Sequence, residues 1–251
     1  MRVALDTHIH IYPYYAVDQL LNAAHRHLSQ LTPGADCYGI CLTERAGHSA
    51  FADLAAGTRI APGWTFQATA EKNLLRAQPA QGAPLVVLAG RQIITAERLE
   101  ILALGTDERI PDGQPARAVL DLVRCARALP VLPWGLGKWL GARGTLVQQL
   151  VNEAQPGDLA LADTYLLPAL APRPSLLRQA AHRGFRILAG TDLLDRTGEE
   201  ILAGRYGVQI EGPWNDDAPA TALLKLVRDP RHPLHTIGRR GSLLDTLKRM
   251  R

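Results

Sequence analysis

Short apolar runs alternate with amphipathic stretches along most of the chain. Val3 to Ile11 predicts a strand. Val17, Leu20, Leu21, Ala24, Leu28 and Leu31 then recur at the spacing of one helix face, predicting a helix over 17–31 that Thr32-Pro33-Gly34 stops. Tyr38-Gly39-Ile40-Cys41-Leu42 predicts a second strand. From Thr58 to Gly105 the pattern becomes β-rich (64–69, 85–95, 97–104) with Gly and Pro turns, and predicts a β-hairpin elaboration within the domain. Helix and strand then alternate again: helices over 116–129, 145–154 and 175–183 lead to strands at 131–132, 158–162 and 185–189. Val208-Gln209-Ile210 is a last candidate strand, and helical patterns follow at 218–227 and 242–250. About seven strand units separated by helices predict one α/β domain over residues 1–251, with a parallel sheet.

Composition narrows this picture. The 251 residues suffice for one barrel-sized domain, and 47% hydrophobic with 21% charged residues is ordinary for a soluble globular protein. No apolar run approaches the roughly 18 residues of a membrane span. The first residues lack the apolar core of a signal peptide. Cys37, Cys41 and Cys125 form no CxxC pair and are odd in number, so they are expected as small buried residues in a reducing compartment, which predicts a cytoplasmic protein without membrane partners. The net charge of +4 is scattered and no basic aromatic platform is visible, so no nucleic-acid partner is expected. Only Lys72, Lys138, Lys225 and Lys248 among the 28 basic residues are lysine, which makes a lysine in a chemically interesting loop more notable.

Four places carry candidate chemistry. Asp6-Thr7-His8-Ile9-His10 lies on the first strand, where alternation aims Asp6, His8 and His10 the same way. Two imidazoles at this spacing can grip one metal ion, and an adjacent Asp can orient a His through its second ring nitrogen. A pair of hydrogen-bonded histidines is the alternative. Gly190-Thr191-Asp192 follows the apolar run Phe185 to Ala189, which puts a carboxylate at a strand end, where barrel enzymes hold their chemistry; a turn Asp is the alternative. Thr43-Glu44-Arg45 ends the second strand, with Glu44 as a third oxygen ligand or general base, or as half of an exposed ion pair. Pro133-Trp134-Gly135-Leu136-Gly137-Lys138-Trp139 follows another strand; Lys138 could meet an anionic group with Trp134 as an apolar wall, or the loop is structural. Asp163 is a further possible lining residue.

Asp6-Thr7-His8-Ile9-His10 resembles the DxHxH opening of the metal-dependent amidohydrolases and of the PHP (polymerase and histidinol-phosphatase) superfamily. The Ile11-Tyr12-Pro13 continuation is closer to the amidohydrolases and the later blocks to PHP. Thr43-Glu44-Arg45 stands where PHP has Thr-Asp-His, Gly90-Arg91-Gln92-Ile93 where it has Gly-x-Glu-Ile, Pro133-Trp134-Gly135 where it has Ala-His-Pro, and Gly190-Thr191-Asp192-Leu193-Leu194 where it has Gly-Ser-Asp-x-His. The resemblance spans residues 1 to about 194 and implies a distorted (β/α)7 TIM-like barrel with its metal site at the strand ends. Arg45, Gln92, Trp134 and Leu194 replace ligand-type residues of the family pattern, which leaves His8, His10 and Asp192, with Glu44 possible, and therefore one divalent ion of the Zn or Mn type instead of a cluster.

The expected function is that of a metal-dependent hydrolase. One ion activates water, Asp192 and Glu44 serve as catalytic carboxylates, and Lys138, Arg45, Arg91 and Trp134 receive a phosphoester or other small anionic substrate. An amidohydrolase-like C–N or lactone hydrolase or decarboxylase, and a barrel that has lost catalysis and binds a ligand or protein, are the alternatives. No motif is legible after residue 212.

Overall fold

The computed structural model describes residues 1–250, the side chain of Met250 excepted. Strand β1 (Arg2–Ile9), helix α1 (Val17–Leu31), β2 (Cys37–Leu42) and the short α2 (Ala50–Ala55) open the chain. Five strands follow without an intervening helix: β3 (Trp64–Ala68), β4 (Leu74–Pro79), β5 (Leu85–Leu88), β6 (Gly90–Ile94) and β7 (Glu100–Leu104). Alternation returns with α3 (Ala116–Cys125), β8 (Leu129–Pro133), α4 (Gly141–Glu153), β9 (Ala160–Thr164), α5 (Ser175–His182) and β10 (Ile187–Gly190). A 3-10 turn (Glu199–Leu202) leads to β11 (Tyr206–Glu211), α6 (Pro219–Arg228), β12 (Leu234–Gly238) and α7 (Leu243–Met250).

The strands form two mixed sheets, ordered β12-β11-β1-β2-β5-β4-β3 and β10-β9-β8-β7-β6. The expected distorted (β/α)7 TIM-like barrel is not what forms. β11 returns antiparallel on β1, with Arg2 opposite Glu211 and Leu5 opposite Val208, and takes the edge that a parallel closing strand needs. The β-hairpin elaboration expected within the domain is divided between the two sheets. β3, β4 and β5 belong to the larger sheet, and β6 and β7 to the smaller. Apolar periodicity marks where a strand lies but not its direction. Direction follows from connection length, and the short turn from Thr95 to Leu99 forces β6 and β7 antiparallel. Among the described residues no ladder closes the two sheets into a barrel. They meet where β10 lies against β1 and at an isolated bridge between Glu44 and Arg91.

Both sheets turn one face to a shared apolar core. Val3 and Leu5 of β1, Leu102 and Leu104 of β7, Val131 of β8, Leu188 of β10 and Val208 of β11 lie in it. The outer faces are covered by helices, with Leu20 and Leu21 of α1 over Ile40 and Leu42 of β2, and Val119, Val147 and Leu177 of α3, α4 and α5 over Ile101 and Leu161. Each fully buried leucine contributes about 1.5–3 kcal/mol of transfer free energy. Cys37 and Cys41 are buried as expected, whereas Cys125 is exposed. No helix among the described residues is long and apolar enough to cross a membrane.

One irregularity in β1 sets up the site. Pairing with β2 shifts register between Asp6 and Ile9. Before the shift Leu5 belongs to the shared inner core; after it Ile9 belongs to the cluster beneath α1. Odd-numbered residues therefore change face across the bulge, and the even-numbered ones change with them.

Candidate metal centre

His8 and His10 are buried, and their Nε2 atoms lie 3.2 Å apart. Asp192 Oδ1 is 3.4 Å from His8 Nε2 and 3.7 Å from His10 Nε2. Ligand atoms about 2.1 Å from one ion at tetrahedral angles would stand about 3.4 Å apart. Two imidazole nitrogens and a carboxylate are also a donor set suited to zinc and its divalent neighbours. The three residues therefore could hold a metal ion.

Asp192 reaches this point through its backbone. Its φ of 55° is left-handed, a region in which Asp is among the more tolerant residues. Its amide donates to the His8 carbonyl at 2.9 Å, which ties the end of β10 to β1. Gly190 allows that approach, because a Cβ there would overlap the His8 backbone and Cβ.

Burial and charge act on His8 and Asp192 in opposite balance. Burial lowers the pKa of His8, only partly offset by Asp192. Burial opposes ionisation of Asp192, but the facing His8 and His10 and the nearby Lys138 outweigh it and hold the carboxyl below the ordinary carboxylate range. Asp192 is also the member that solvent reaches, with 19% of its side chain exposed against 2% for His8.

Asp6 does not orient the His8 ring. Its carboxylate accepts from the His8 amide at 3.2 Å, the Thr191 amide at 2.9 Å, the Thr191 hydroxyl at 2.5 Å and the Gly204 amide at 2.9 Å. Burial pushes it up to about 6 against those hydrogen bonds. It ties β1 to the turn after β10 and to the chain before β11. His8 Nδ1 is buried without a hydrogen-bond partner, and His10 Nδ1 faces the Thr43 hydroxyl at 3.5 Å.

The remaining sequence-predicted residues lie at the strand ends, already partnered. Glu44 is 2% exposed, 3.0 Å from Arg91 Nη1, and accepts from the Phe51 amide at 2.9 Å. Arg91 is held further by the Asp107 carboxylate and carbonyl and by the His48 carbonyl. Neither joins the His–His–Asp group. Lys138 Nζ donates to Glu100 Oε1 at 2.5 Å, and the charges of both are felt at His8. Arg45 faces Asp195 at 3.6 Å. Trp134 packs on the core beneath α3 and α4. Asp163 is buried and accepts from Arg173 and Tyr206.

Residues the sequence reading did not assign also gather here. The Tyr12 ring lies 5.7 Å from the rings of His10 and His48, and Tyr14 stacks on Tyr12 and donates to Asp195 at 2.6 Å. The aromatic run Tyr12-Pro13-Tyr14-Tyr15 directly after the histidines was the available signal.

No protein-family model matches the chain, and no curated protein sequence resembles it. Its fold is shared with solved structures. PsfC from Pseudomonas syringae aligns over 93% of this chain and 91% of its own, at 15% identity and a TM-score of 0.60. The lesion-specific endonuclease PfuEndoQ from Pyrococcus furiosus aligns over 91% of this chain at 11% identity and a TM-score of 0.51. Endonuclease Q in complex with a 27-mer duplex bearing an abasic lesion aligns over 90% at 11% identity and a TM-score of 0.50. The chain spans 56% of the length of either Endonuclease Q chain. The expectation that excludes nucleic acid is overturned by the last of these, because the same fold carries a DNA substrate there. Scattered charge along a sequence does not decide the matter, since folding gathers residues such as Arg45, Arg91 and Arg109 around one cavity.

Proposed function

We propose that the protein is a hydrolase that holds one divalent ion, of the zinc or manganese type, between His8, His10 and Asp192 and acts on a phosphoester. The observation that carries this reading is the convergence of two buried imidazole nitrogens and a carboxylate oxygen within 4.8 Å of one another. Apart from protons on the rings themselves, a shared cation is what reconciles them, and burial disfavours charging His8. A divalent ion so held supplies Lewis acidity and makes water a nucleophile near neutral pH.

The chain's own residues do the rest. Asp192, within reach of solvent, is in place to accept a proton from the attacking water. Lys138 and Arg45 are the partly exposed cations beside the site, and each can exchange its carboxylate partner for an anionic group of the substrate. Glu44 and Arg91 serve the fold by pairing with each other. The phosphoester class, with phosphodiesters of nucleic acid inside it, is supported by the fold shared with Endonuclease Q.

Elemental mass spectrometry of the wild type beside His8→Ala/His10→Ala tests the site, followed by assay against phosphomonoester, phosphodiester, abasic duplex DNA, amide and lactone substrates. About one metal per chain, lost in the variant, with phosphoester turnover, is the expected result. No metal in the wild type after incubation with Zn²⁺ or Mn²⁺ overturns the reading. Turnover confined to amides or lactones overturns the substrate class alone.

A further inference from the structure

A side chain from α7, where the sequence carries no legible motif, reaches the backbone of Asp192. Arg249 is 8% exposed and its Nη2 donates to the Asp192 carbonyl at 3.0 Å. The same guanidinium grips Glu199, with Nε 3.0 Å from Oε1 and 2.9 Å from Oε2 and Nη2 also on Oε2. Its Cζ lies 5.3 Å from the centre of the Tyr165 ring. Glu199 in turn accepts from the Leu194 amide at 3.2 Å, and the Leu194 carbonyl accepts from the Tyr15 hydroxyl at 2.5 Å.

These bonds hold the backbone from Asp192 to Leu194. The Asp192 amide is held by His8, and the carbonyl on the other side of its left-handed Cα is the second point at which that backbone can be anchored. Arg249 is the group that holds it. Without that bond the backbone of Asp192 is anchored on its amide side alone, and a shift of its Cα carries the carboxylate away from His8 and His10. α7 is itself moored: Ser242 and Asp245 cap its start, Thr246 reaches the Leu166 carbonyl, and Arg196 donates to the Lys248 carbonyl at 2.8 Å.

Resting on the metal reading above, we propose that Arg249 is a positioning residue for the metal centre: by fixing the 192–193 peptide from α7 it keeps the Asp192 carboxylate facing the two histidines. Outer-shell partners of metal ligands typically alter affinity about 10- to 100-fold, and a loss of that size is expected here.

The test is Co²⁺ titration of the full chain, read by the visible d–d spectrum, with near-UV circular dichroism to establish folding. Arg249→Met/Glu199→Gln removes the ion pair without stranding a buried charge. Arg249→Lys keeps a charge opposite Glu199 but loses the fork that spans Glu199 and the Asp192 carbonyl. Both are expected to bind Co²⁺ about 10- to 100-fold more weakly, with an altered spectrum. Thr246→Ala loosens α7 without touching Asp192, and is expected to lower the melting temperature while leaving Co²⁺ affinity unchanged. Wild-type affinity in both Arg249 variants overturns the inference and leaves the metal reading standing. An equal loss in Thr246→Ala also overturns it, because affinity would then follow the stability of α7. A wild type that binds no Co²⁺ overturns the metal reading and this inference together.

Discussion

Glu44 and Arg91 are as buried as His8 and His10, and Thr43 joins the two groups, yet they resolve their polarity in opposite ways. At Glu44–Arg91 each charge meets its complement: carboxylate on guanidinium, guanidinium on Asp107 and two carbonyls, carboxylate on the Phe51 amide. At His8–His10–Asp192 three ligand atoms turn toward one another. The first arrangement pairs opposite charges, although Glu44 Oε2 makes no hydrogen bond beyond its ion pair, while the second leaves a place for a cation. Residue type and burial alone do not separate a structural ion pair from a binding site; the signs of the groups that face each other do.

The comparison breaks if disrupting the first group empties the second. Arg91→Met strands a buried Glu44 carboxylate, and denaturant unfolding is expected to show a loss of about 3–5 kcal/mol, much of it recovered in Glu44→Gln/Arg91→Met. Metal content should stay at the wild-type level in both. Loss of metal in the double variant would show that the two groups form one site. A smaller effect sharpens the contrast from the other side. Zn²⁺ at about 100 times its dissociation constant should stabilise the wild type by about 2.7 kcal/mol. The same increment is expected in Glu44→Gln/Arg91→Met and none in His8→Ala/His10→Ala. The smallest effect concerns the partly exposed pair Lys138–Glu100. Lys138→Ala should change stability by less than about 1 kcal/mol and raise KM for an anionic substrate about two- to fivefold with kcat little changed. An unchanged KM would return that loop to a purely structural role.

Much of the element order was legible because burial imposes a period on the sequence. The spacing from Val17 to Leu31 matches α1 at both ends, and the helices at 116, 175 and 219 begin within a residue of expectation. His8, His10 and Asp192 were legible because few residue types at strand ends bind metals, and the fold does bring these three together. Asp6 was misread, since strict alternation aimed it with the histidines and the register shift before Ile9 turned it elsewhere. Glu44 and Arg91 were read as open groups because a sequence does not show that β2 and β6 meet at that pair. The barrel was expected from the strand–helix alternation together with the family resemblance, and the antiparallel return of β11 on β1 overturned it.

Local physics is readable along the chain: where it is helix or strand, which face of α1 is apolar, and which side chains can bind a cation. The tertiary structure decided everything that depends on contacts across long separations. Those are the division into two sheets, the phase of β1 at His8, the partners of Glu44 and Lys138, and the reach of Arg249 across 57 positions to Asp192. The physical reason is that periodicity and side-chain chemistry are properties of neighbours along the chain. Strand direction, charge pairing and the support of a ligand's backbone are properties of neighbours in space.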